Sequence, residues 1–510
     1  MKLLSKFRNE IIITIFLSVL YFVLRLIFLD RLPIFTDEAI YLRWAQIALQ
    51  DSSWRFISLT DGKQPMFVWF AIVFLKFVQD PLIAGRLVSV FSGFFTLIGL
   101  WFLTYELFKN KRIAFFSSIL YIFYPFAQVL DRMALYDSMV GTFFVWALYF
   151  SILLARKVKL DIAYTLGFII GAGVLTKTSN FFSIYLLPFT LILFNFKEKL
   201  IFSRLIKWII FSLFATAIAF GLYNILRLSP LFAMITAKNA IFVYPLSEWL
   251  THPFTFFVGN LHGLLSWLLQ YLTPSYTILI ILSVALIKKF PREKMLLIIY
   301  FLVPIVALAL FGRVIFPRFI FFMSLMLLPL AAFGLDYLIS FIEGKFNIAK
   351  RSSLKNYYVL IITLFFVFYP AVVSLQLVVD PINAKIADAD NSQYVNSWAA
   401  GWGVKESVTF FQNQAKNQKI FIATEGTFGL LPASMELYLV SNKNITIKGY
   451  WPIDIFPNEL IEQANKMPTF IIYYQKDHIV LASNLPLKLL FQVKQGSNDS
   501  YYRVYQVFSK

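Results

Sequence analysis

The chain contains no cysteine, and its acidic residues are few, with 27 aspartates and glutamates against 46 lysines and arginines. The absence of cysteine excludes disulfides, thiolate zinc sites and cysteine nucleophiles. His252 and His262 lie ten residues apart, which is not a metal-ligand spacing, and no HExxH element occurs. P-loop, GxGxxG and GxSxG motifs are also missing, so nothing indicates a nucleotide site or a serine nucleophile elbow.

Apolar residues are abundant instead. Hydrophobic residues make up 59% of the 510 and aromatic residues 19%, and the mean hydropathy is +0.72. Apolar runs of spanning length recur as far as residue 378, without the ten-residue alternation of a transmembrane β-barrel. The sequence therefore predicts an all-α polytopic membrane protein, with membrane lipid as a partner.

The net charge of +19 is carried largely by short loops between the apolar runs. This pattern indicates membrane topology rather than a nucleic-acid footprint, and we expect no nucleic-acid partner. The run 64–78 is short for a span; if it lies at the membrane interface, every strongly basic loop falls on the side of the N-terminus. We therefore predict a multi-pass protein of the cell (plasma) membrane, with a cytoplasmic N-terminus and an extracytoplasmic C-terminus.

This topology has eleven predicted spans. They lie near residues 11–29, 83–108, 113–130, 138–155, 161–176, 180–196, 207–226, 271–287, 295–311, 318–341 and 356–378. The first run resembles a signal peptide but lacks an A-x-A-like cleavage site, so it is predicted to remain as the first helix.

A change of composition after residue 378 predicts two domains. Residues 1–378 hold the spans and, in the first outer loop, two interfacial helices at Asp37–Gln50 and Gln64–Val78. In residues 379–510 the apolar runs shorten and Asn, Gln, Ser and Gly become frequent, which predicts a small extracytoplasmic α/β domain. Its predicted elements are a helix at Lys405–Asn417 and buried strands at Lys419–Ala423 and Thr469–Tyr474.

Two adjacent acids, Asp37 and Glu38, follow the outer end of the first predicted span. A carboxylate pair at a membrane boundary is costly unless it is solvated or functional. The simpler alternative is a helix start, with Thr36 as N-cap and the acids at the positive end of the dipole. That alternative leaves unexplained the charged residues predicted at the same boundary: Arg43, Lys63, Arg86, Asp131, Arg132, Asp137, Lys177, Arg313 and Arg318.

The cations of this set predict a phosphate site. Lys63 precedes Pro65 at the start of an interfacial helix, where a lysine opposes the helix dipole unless an anion is near. Guanidinium and ammonium groups together suit phosphate or pyrophosphate. The predicted phosphate ligands are Lys63, Arg86, Lys177, Arg313 and Arg318. Each could instead be an interfacial anchor, and Asp131 with Arg132 is expected to form a local ion pair.

Six short motifs occur in order across residues 1–340: TDEAIY at 36–41, KQP at 63–65, AGRLVS at 84–89, RMALYD at 132–137, LTK at 175–177 and RF at 318–319. They resemble the D-E-A-x-Y, K-P-P, A-x-R-L-x-S, R-x-A-L-x-D, L-T-K and R-Y elements of GT-C glycosyltransferases. The resemblance is to the family 39-like branch that holds the protein O-mannosyltransferases and the lipid A aminoarabinose transferase. Two departures concern the donor head group: Ile40 stands where some members carry a phosphate-binding arginine, and Gln64 replaces a proline.

The resemblance implies inverting transfer of a sugar from a polyprenyl-phosphate donor to an acceptor hydroxyl on a protein, lipid or glycan outside the cytoplasm. Asp37 would act as general base on that hydroxyl, and Glu38 would orient the acceptor or bind a cation. Tyr41, Arg43 and Asp137 are expected to contact substrate. We expect Asp37 to face the predicted phosphate ligands across an outward-opening cavity. The sequence requires no cofactor, although it leaves a divalent cation open.

Two alternatives stay open at this point. A transporter or flippase for a lipid-linked saccharide should show inverted repeats and midplane charges, whereas the ionisable residues here gather at the predicted outer boundary. An oligosaccharyltransferase would move a whole glycan in one step. The sequence favours transfer of a single sugar.

Overall fold

A computed structural model of the protein describes residues 8–345, 352–453, 456–474 and 485–509. Within this part of the chain two compact units are present. The bundle unit contains the described residues of Met1–Ile27, Phe56–Phe67 and Val88–Leu377, and the sheet unit contains those of Phe28–Arg55, Val68–Leu87 and Val378–Lys510. The sheet unit thus joins the C-terminal segment to two stretches of the predicted first outer loop. The division into domains 1–378 and 379–510 stays a prediction.

Helices make up most of the described chain, as predicted. Up to residue 379 they are α1 (Arg8–Leu26), α2 (Thr36–Gln50), α3 (Met66–Leu75), α4 (Pro81–Phe108), α5 (Lys111–Ile122), α6 (Pro125–Leu130), α7 (Tyr136–Lys157), α8 (Leu160–Thr176), α9 (Phe182–Tyr185), α10 (Ile201–Tyr223), α11 (Met234–Phe242), α12 (Leu246–Trp249), α13 (Phe257–Ala285), α14 (Pro291–Phe311), α15 (Phe321–Ser324), α16 (Leu327–Lys345) and α17 (Ser352–Val379). Short 3-10 helices lie between them, including Ile57–Asp61, Thr178–Phe181, Leu187–Leu193 and Pro317–Ile320.

Among the described residues, seven helices are long and apolar enough to cross a membrane: α4, α7, α10 with its 3-10 extension to Leu228, α13, α14, α16 and the part of α17 from Tyr357. This composition, with the C-terminal sheet described below, confirms the predicted fold class of a multi-pass membrane protein. Helix α3, predicted as interfacial, is apolar but shorter than a span.

The remaining four predicted spans are shorter, broken or more polar. Helix α1 has 19 residues and includes Glu10 and Arg25, and α8 has 17 residues. The predicted span 113–130 divides into α5 and α6 just before Pro125, because a proline disfavours helical geometry in the residue that precedes it. The predicted span 180–196 consists of 3-10 turns and the four-residue α9.

A buried polar network lies in the bundle unit. Asp131 pairs with Arg25 at 3.1 Å, and both side chains are fully buried. The hydroxyl groups of Tyr21, Tyr121 and Ser138 also donate to the Asp131 carboxylate. The expected ion pair between Asp131 and Arg132 is therefore replaced by one with Arg25. Arg132 instead donates to backbone carbonyls at the end of α1, those of Leu24, Arg25 and Ile27.

The C-terminal segment of the sheet unit contains both helices and strands. The helices are α18 (Asp388–Asn391), α19 (Val404–Gln414), α20 (Leu430–Leu439) and α21 (Asn458–Ala464), and the strands are β1 (Ile420–Glu425), β2 (Ile445–Tyr450), β3 (Thr469–Tyr473), β4 (Leu487–Lys494) and β5 (Tyr501–Val507). β1, β3 and α19 confirm the predicted elements. Every residue of β1 and β3 is buried. The strands that were not predicted, β2, β4 and β5, carry partly exposed residues between less exposed ones, which weakens their hydrophobic signal.

The five strands form one sheet in the order β2-β1-β3-β5-β4. β1 is parallel to β2 and β3, whereas β5 is antiparallel to β3 and β4. Helices pack on both faces: the rings of Phe411 in α19 and Phe470 in β3 lie 5.4 Å apart, while Leu460 of α21 shares a buried cluster with Ile471. Adjacent residues of a strand point to opposite faces, so β3 is covered on both sides.

Residues 34–36, at the start of α2, run antiparallel to residues 399–401 within the sheet unit. Three hydrogen bonds hold this pair around the bridge between Phe35 and Ala400: one of 2.8 Å from the Gly401 N–H to the Ile34 carbonyl, and two of 3.1 Å from the N–H and the hydroxyl of Thr36 to the Ala399 carbonyl. The C-terminal segment therefore fixes the backbone that leads directly to Asp37.

Candidate functional site

Helix α2 carries four of the predicted site residues, Asp37, Glu38, Tyr41 and Arg43. Its N-cap is Phe35, not Thr36 as the simple alternative supposed, because the Thr36 hydroxyl bonds to the C-terminal segment. Asp37 and Glu38 lie in the first turn, where the helix dipole favours negative charge. Asp37 is half-buried and Glu38 is fully buried.

Glu38 and Arg86 form a buried ion pair inside the sheet unit. The Arg86 Nε and Nη2 atoms donate to the two carboxylate oxygens of Glu38 at 2.9 and 2.8 Å, and neither side chain is exposed. The remaining N–H groups of Arg86 donate to the backbone carbonyls of Leu29, Leu32 and Pro33. All five donors of the guanidinium are thus used. To bind a phosphate, Arg86 would have to give up part of this arrangement.

The Glu38 carboxylate likewise accepts hydrogen bonds from within the sheet unit. Besides the two bonds from Arg86, its Oε2 atom accepts a 2.9 Å hydrogen bond from the Phe35 N–H. A bound cation would compete with the positive charge that already neutralises this carboxylate. Among the described residues, no group of three or more His, Asp or Glu side chains is arranged to hold a metal ion. These contacts indicate that Glu38 shapes the start of α2.

The other two residues of α2 have different surroundings. Tyr41 is buried and stacks on Trp44, with ring centroids 5.7 Å apart. Arg43 donates to Glu436 of α20 at 2.9 Å, so its charge is directed to the C-terminal segment of the same unit. Asp37 and Tyr41 are four residues apart and share one face of the helix.

Two titratable groups of the sheet unit are perturbed near α2. The ammonium group of Lys405, which donates to Asp30 at 2.6 Å, holds the pKa of the Asp30 carboxyl below its usual range. Burial, with a smaller effect from the negative charge of Asp80, raises the pKa of the Tyr438 phenol. Asp30 is therefore ionised and Tyr438 is a neutral hydroxyl at physiological pH.

In the bundle unit, the predicted cations gather on three phenylalanine rings. Phe242, Phe316 and Phe319 contact one another, with ring centroids 5.5 to 6.4 Å apart. Four cations lie over these rings: Lys63 and Lys238 over Phe242 at 5.9 and 5.8 Å, Lys177 over Phe319 at 4.7 Å, and Arg318 over Phe316 at 5.4 Å. We call these seven residues the cation–phenylalanine cluster.

Lys177 also forms an ion pair with Asp137 at 2.7 Å. Asp137 lies in the first turn of α7 and is buried, whereas Lys177 follows the last residue of α8 and is part-exposed. The ammonium group of Lys177 therefore has one partner and one exposed side. Such a group can donate a hydrogen bond to a further anionic oxygen while it keeps its bond to the carboxylate.

Lys238 belongs to the cluster although it was not predicted. It pairs with Asp61 at 2.6 Å, and its side chain is about a quarter exposed. No motif marks it in the sequence. Its position was the signal that could have identified it. Lys238 lies in a loop predicted to be outside the cytoplasm, where the positive-inside rule makes lysine less frequent.

Gly62 allows Lys63 and Lys238 to come together. It has a left-handed backbone with φ of 63°, and it ends the 3-10 helix Ile57–Asp61. A Cβ atom at this position would lie 2.4 Å from the Met234 carbonyl oxygen and 2.5 Å from the Cβ of Lys238. Both the backbone conformation and the close approach to α11 therefore require glycine.

Of the predicted phosphate ligands, Lys63, Lys177 and Arg318 lie together in this cluster. Arg313 instead lies near Glu248 and Tyr244. The Arg313 guanidinium lies 3.7 Å from Glu248 and 5.5 Å from the Tyr244 ring centroid, and about half of the side chain is exposed. Gln64, which replaces a proline of the motif, donates to the Thr178 hydroxyl at 2.7 Å, next to Lys177. That Asp37 faces these cations stays a prediction.

Comparison with known proteins gives a consistent picture. Residues 62–223 match the family model described as dolichyl-phosphate-mannose-protein mannosyltransferase. The chain is similar in structure to ArnT from Cupriavidus metallidurans in the apo state, with 14% identity, a TM-score of 0.56 and coverage of 98% of both chains. The same protein bound to undecaprenyl phosphate gives 15% identity and a TM-score of 0.58, again over 98% of both chains.

A lower similarity, with 12% identity and a TM-score of 0.49, is found to the archaeal oligosaccharyltransferase AglB from Archaeoglobus fulgidus in complex with an inhibitory peptide and a dolichol-phosphate. It covers 92% of this chain and 69% of that one. Among curated proteins, no sequence relative matches the chain. The family match and the ArnT fold confirm the resemblance that the motifs indicated.

Proposed function

Since the chain resembles the GT-C glycosyltransferases of the protein O-mannosyltransferase and aminoarabinose transferase branch, we propose that it is an integral-membrane glycosyltransferase. It moves a sugar from a polyprenyl-phosphate donor to an acceptor hydroxyl on the extracytoplasmic side, with inversion. The acceptor is a protein, a lipid or a glycan. The N-terminus then lies in the cytoplasm and the C-terminal sheet lies outside.

The observation that carries this proposal is the cation–phenylalanine cluster. Ammonium and guanidinium groups suit the phosphate of a lipid carrier, and charge-assisted bonds to phosphate are among the strong ones. The phenylalanine rings between them offer apolar surface for the first prenyl units. Cations next to the phosphate also stabilise the negative charge that grows on it as the sugar leaves.

Asp37 is proposed as the general base. A carboxylate that is half-buried, and not fully enclosed like Glu38, can reach an acceptor hydroxyl and take its proton. The deprotonated oxygen attacks the anomeric carbon, the bond from that carbon to the phosphate oxygen breaks, and the electron pair leaves with the phosphate. Attack from the opposite side inverts the anomeric configuration.

Glu38 and Arg86 act in this proposal as positioning residues. Their ion pair, with the bonds from Arg86 to the Leu29–Pro33 backbone, holds the start of α2 in one arrangement. Asp37 is the neighbour of Glu38 and is fixed by the same contacts. Arg43 secures the middle of α2 through Glu436.

The direct test incubates purified full-length protein with a small panel of polyprenyl-phosphate monosaccharides. It measures release of the carrier as polyprenyl phosphate without its sugar. Release from at least one donor, dependent on an added acceptor, supports the proposal. Movement of a lipid-linked saccharide across proteoliposomes with no donor consumed would support the transporter alternative instead. Mass spectrometry of the product separates single-sugar addition from transfer of a whole glycan.

We expect Lys238→Gln to weaken binding of undecaprenyl phosphate about tenfold or more, since a hydrogen bond to a charged group contributes about 1.5–3 kcal/mol. Binding is measured by titration of the carrier into protein in detergent micelles. Lys177→Gln should have a similar effect. Lys76→Gln is the matched control, because Lys76 is exposed at the end of α3. Wild-type affinity in both cluster variants would remove the cluster from carrier binding.

A further inference from the structure

The sheet of the C-terminal segment has a topological switch point. The chain passes from β1 through α20 to β2 on one side of β1, then through α21 to β3 on the other side. In open α/β sheets, ligands bind in the crevice outside the carboxyl ends of the strands where the order reverses. In this sheet the crevice lies at the carboxyl ends of β1 and β3.

The two strand ends are joined by specific contacts. Glu425, the last residue of β1, is buried and accepts a 2.7 Å hydrogen bond from the N–H of Tyr474, which follows β3. The loop after β1 contains Gly426 and Gly429, both with positive φ, at 96° and 137°. A Cβ atom at Gly429 would lie 3.6 Å from the Tyr474 hydroxyl. The loop therefore passes close to the end of β3.

Three aromatic side chains lie at this crevice, of which two are exposed and one, Tyr474, is buried. Phe428, between the two glycines, is 59% exposed, and Trp398 is 45% exposed. The rings of Trp398 and Tyr474 contact edge to face at 6.2 Å. None of the described residues 425–429, 398 or 474 is basic. This chemistry does not suit a phosphate.

Flat exposed aromatic faces suit a neutral sugar ring, and the exposed Thr427 lies between Gly426 and Phe428. The C–H groups on one face of a pyranose can pack on an aromatic ring, while its hydroxyl groups bond to polar atoms nearby. Exposed single apolar residues are ordinary on protein surfaces. Here two exposed rings and a third ring lie together at the switch point of a sheet, which is where open α/β sheets bind their ligands.

The crevice is also continuous with the helix that carries Asp37. Trp398 precedes Ala399, whose carbonyl accepts two hydrogen bonds from Thr36, the neighbour of Asp37. On the other side, Phe428 contacts Trp44 of α2, with ring centroids 6.5 Å apart. All of these residues belong to the sheet unit. A ligand in the crevice would therefore lie beside the part of α2 between Thr36 and Trp44.

We propose that this crevice, with the exposed rings of Trp398 and Phe428 beside the buried Tyr474, binds a neutral sugar ring of the acceptor. The inference rests on the proposed function and narrows the acceptor to a molecule that already carries a saccharide. The new sugar would then be added to a glycan or a glycolipid. Trp398 and Phe428 are substrate-binding residues in this assignment, and Glu425 positions Tyr474.

Saturation-transfer NMR tests the proposal with full-length protein in micelles. The probes are neutral disaccharides, namely mannobiose, cellobiose, diacetylchitobiose and lactose, at millimolar concentration. At least one should receive saturation from the wild-type protein. Phe428→Ala and Trp398→Ala should each weaken its binding about tenfold. Both side chains are exposed, so we expect these variants to keep the wild-type unfolding temperature.

Phe508→Ala is the matched control. Phe508 is 42% exposed and follows β5, whose last residue pairs with the first residue of β3, so it lies at the opposite edge of the sheet. Undecaprenyl phosphate binding is measured on the same samples. Loss of sugar binding in Phe428→Ala and Trp398→Ala alone, with carrier binding unchanged, supports the proposal.

No saturation of any disaccharide by the wild-type protein, or equal saturation in all variants, would overturn it. Sugar binding that depends on the two aromatic residues, in a protein that binds no carrier and transfers nothing, would instead overturn the proposed function. In that case the crevice would stand as a saccharide site.

Discussion

Replacing Asp37 with asparagine should reduce sugar transfer at least about a hundredfold, because a positioned general base contributes about 10²–10⁴ to the rate. Asparagine has nearly the same size as aspartate and keeps one oxygen acceptor, but it cannot take a proton from the acceptor hydroxyl. The stability of the fold should change little by comparison, since a carboxylate in the first turn of a helix contributes about 0.3–1 kcal/mol. The rate is measured as release of carrier phosphate from the active donor.

Two comparisons make the Asp37 result specific. The Asp37→Asn variant should bind undecaprenyl phosphate as the wild type does, because the cations assigned to the carrier are unchanged. Asp51→Asn serves as the control, since Asp51 is an exposed acid at the other end of the same helix. If Asp37→Asn transfers sugar at the wild-type rate, Asp37 has no part in the chemistry.

The second large effect concerns Arg86. Arg86→Ala should lower the free energy of unfolding by about 3–5 kcal/mol, the usual cost of leaving one partner of a buried ion pair without the other. The substitution also leaves the carbonyls of Leu29, Leu32 and Pro33 without their donors. Unfolding of the detergent-solubilised protein by heat or denaturant measures the loss. Glu38→Gln should lose stability for the same reason, but it retains part of its hydrogen bonding.

Arg86→Lys separates the positioning role from phosphate binding. Lysine keeps the charge but has three donors where arginine has five, so a positioning Arg86 predicts a less stable protein with reduced transfer. If Arg86 is instead a ligand of the carrier phosphate, Arg86→Lys should have normal stability and weaker carrier binding. That result would restore the role that the sequence predicted for Arg86. Arg43→Ala is the matched control, because its pair with Glu436 is part-exposed and should contribute about 1 kcal/mol or less.

Local patterns in the sequence were sufficient for much of the fold. The long apolar helices follow from hydrophobicity alone, and the continuous burial of β1 and β3 left uninterrupted apolar runs at the predicted positions. The breaks in the bundle were harder to foresee, although Pro125 marks one of them. Half-exposed strands such as β2 and β5 have no strong pattern of their own, because their burial depends on which strand they join.

The candidate site was predicted in part. The motifs identified Lys63, Lys177 and Arg318, and the structure places each of them over a different ring of the same cation–phenylalanine cluster. Lys238 has no motif, and it reaches the cluster only through the approach that Gly62 permits. A positive charge in the sequence does not show whether the side chain is enclosed, as Arg86 is by Glu38 and backbone carbonyls, or has an exposed side. That distinction depends on contacts between segments distant in the sequence.

The pairing of residues 34–36 with residues 399–401 has a consequence for protein engineering. A chimera that exchanges the C-terminal region with that of a homologue would place foreign side chains and a foreign backbone against the segment before Asp37. Successful recombination should therefore require the first loop and the C-terminal region to be inherited together. Crossover points should be chosen so that the first loop and the C-terminal region both come from the same parent.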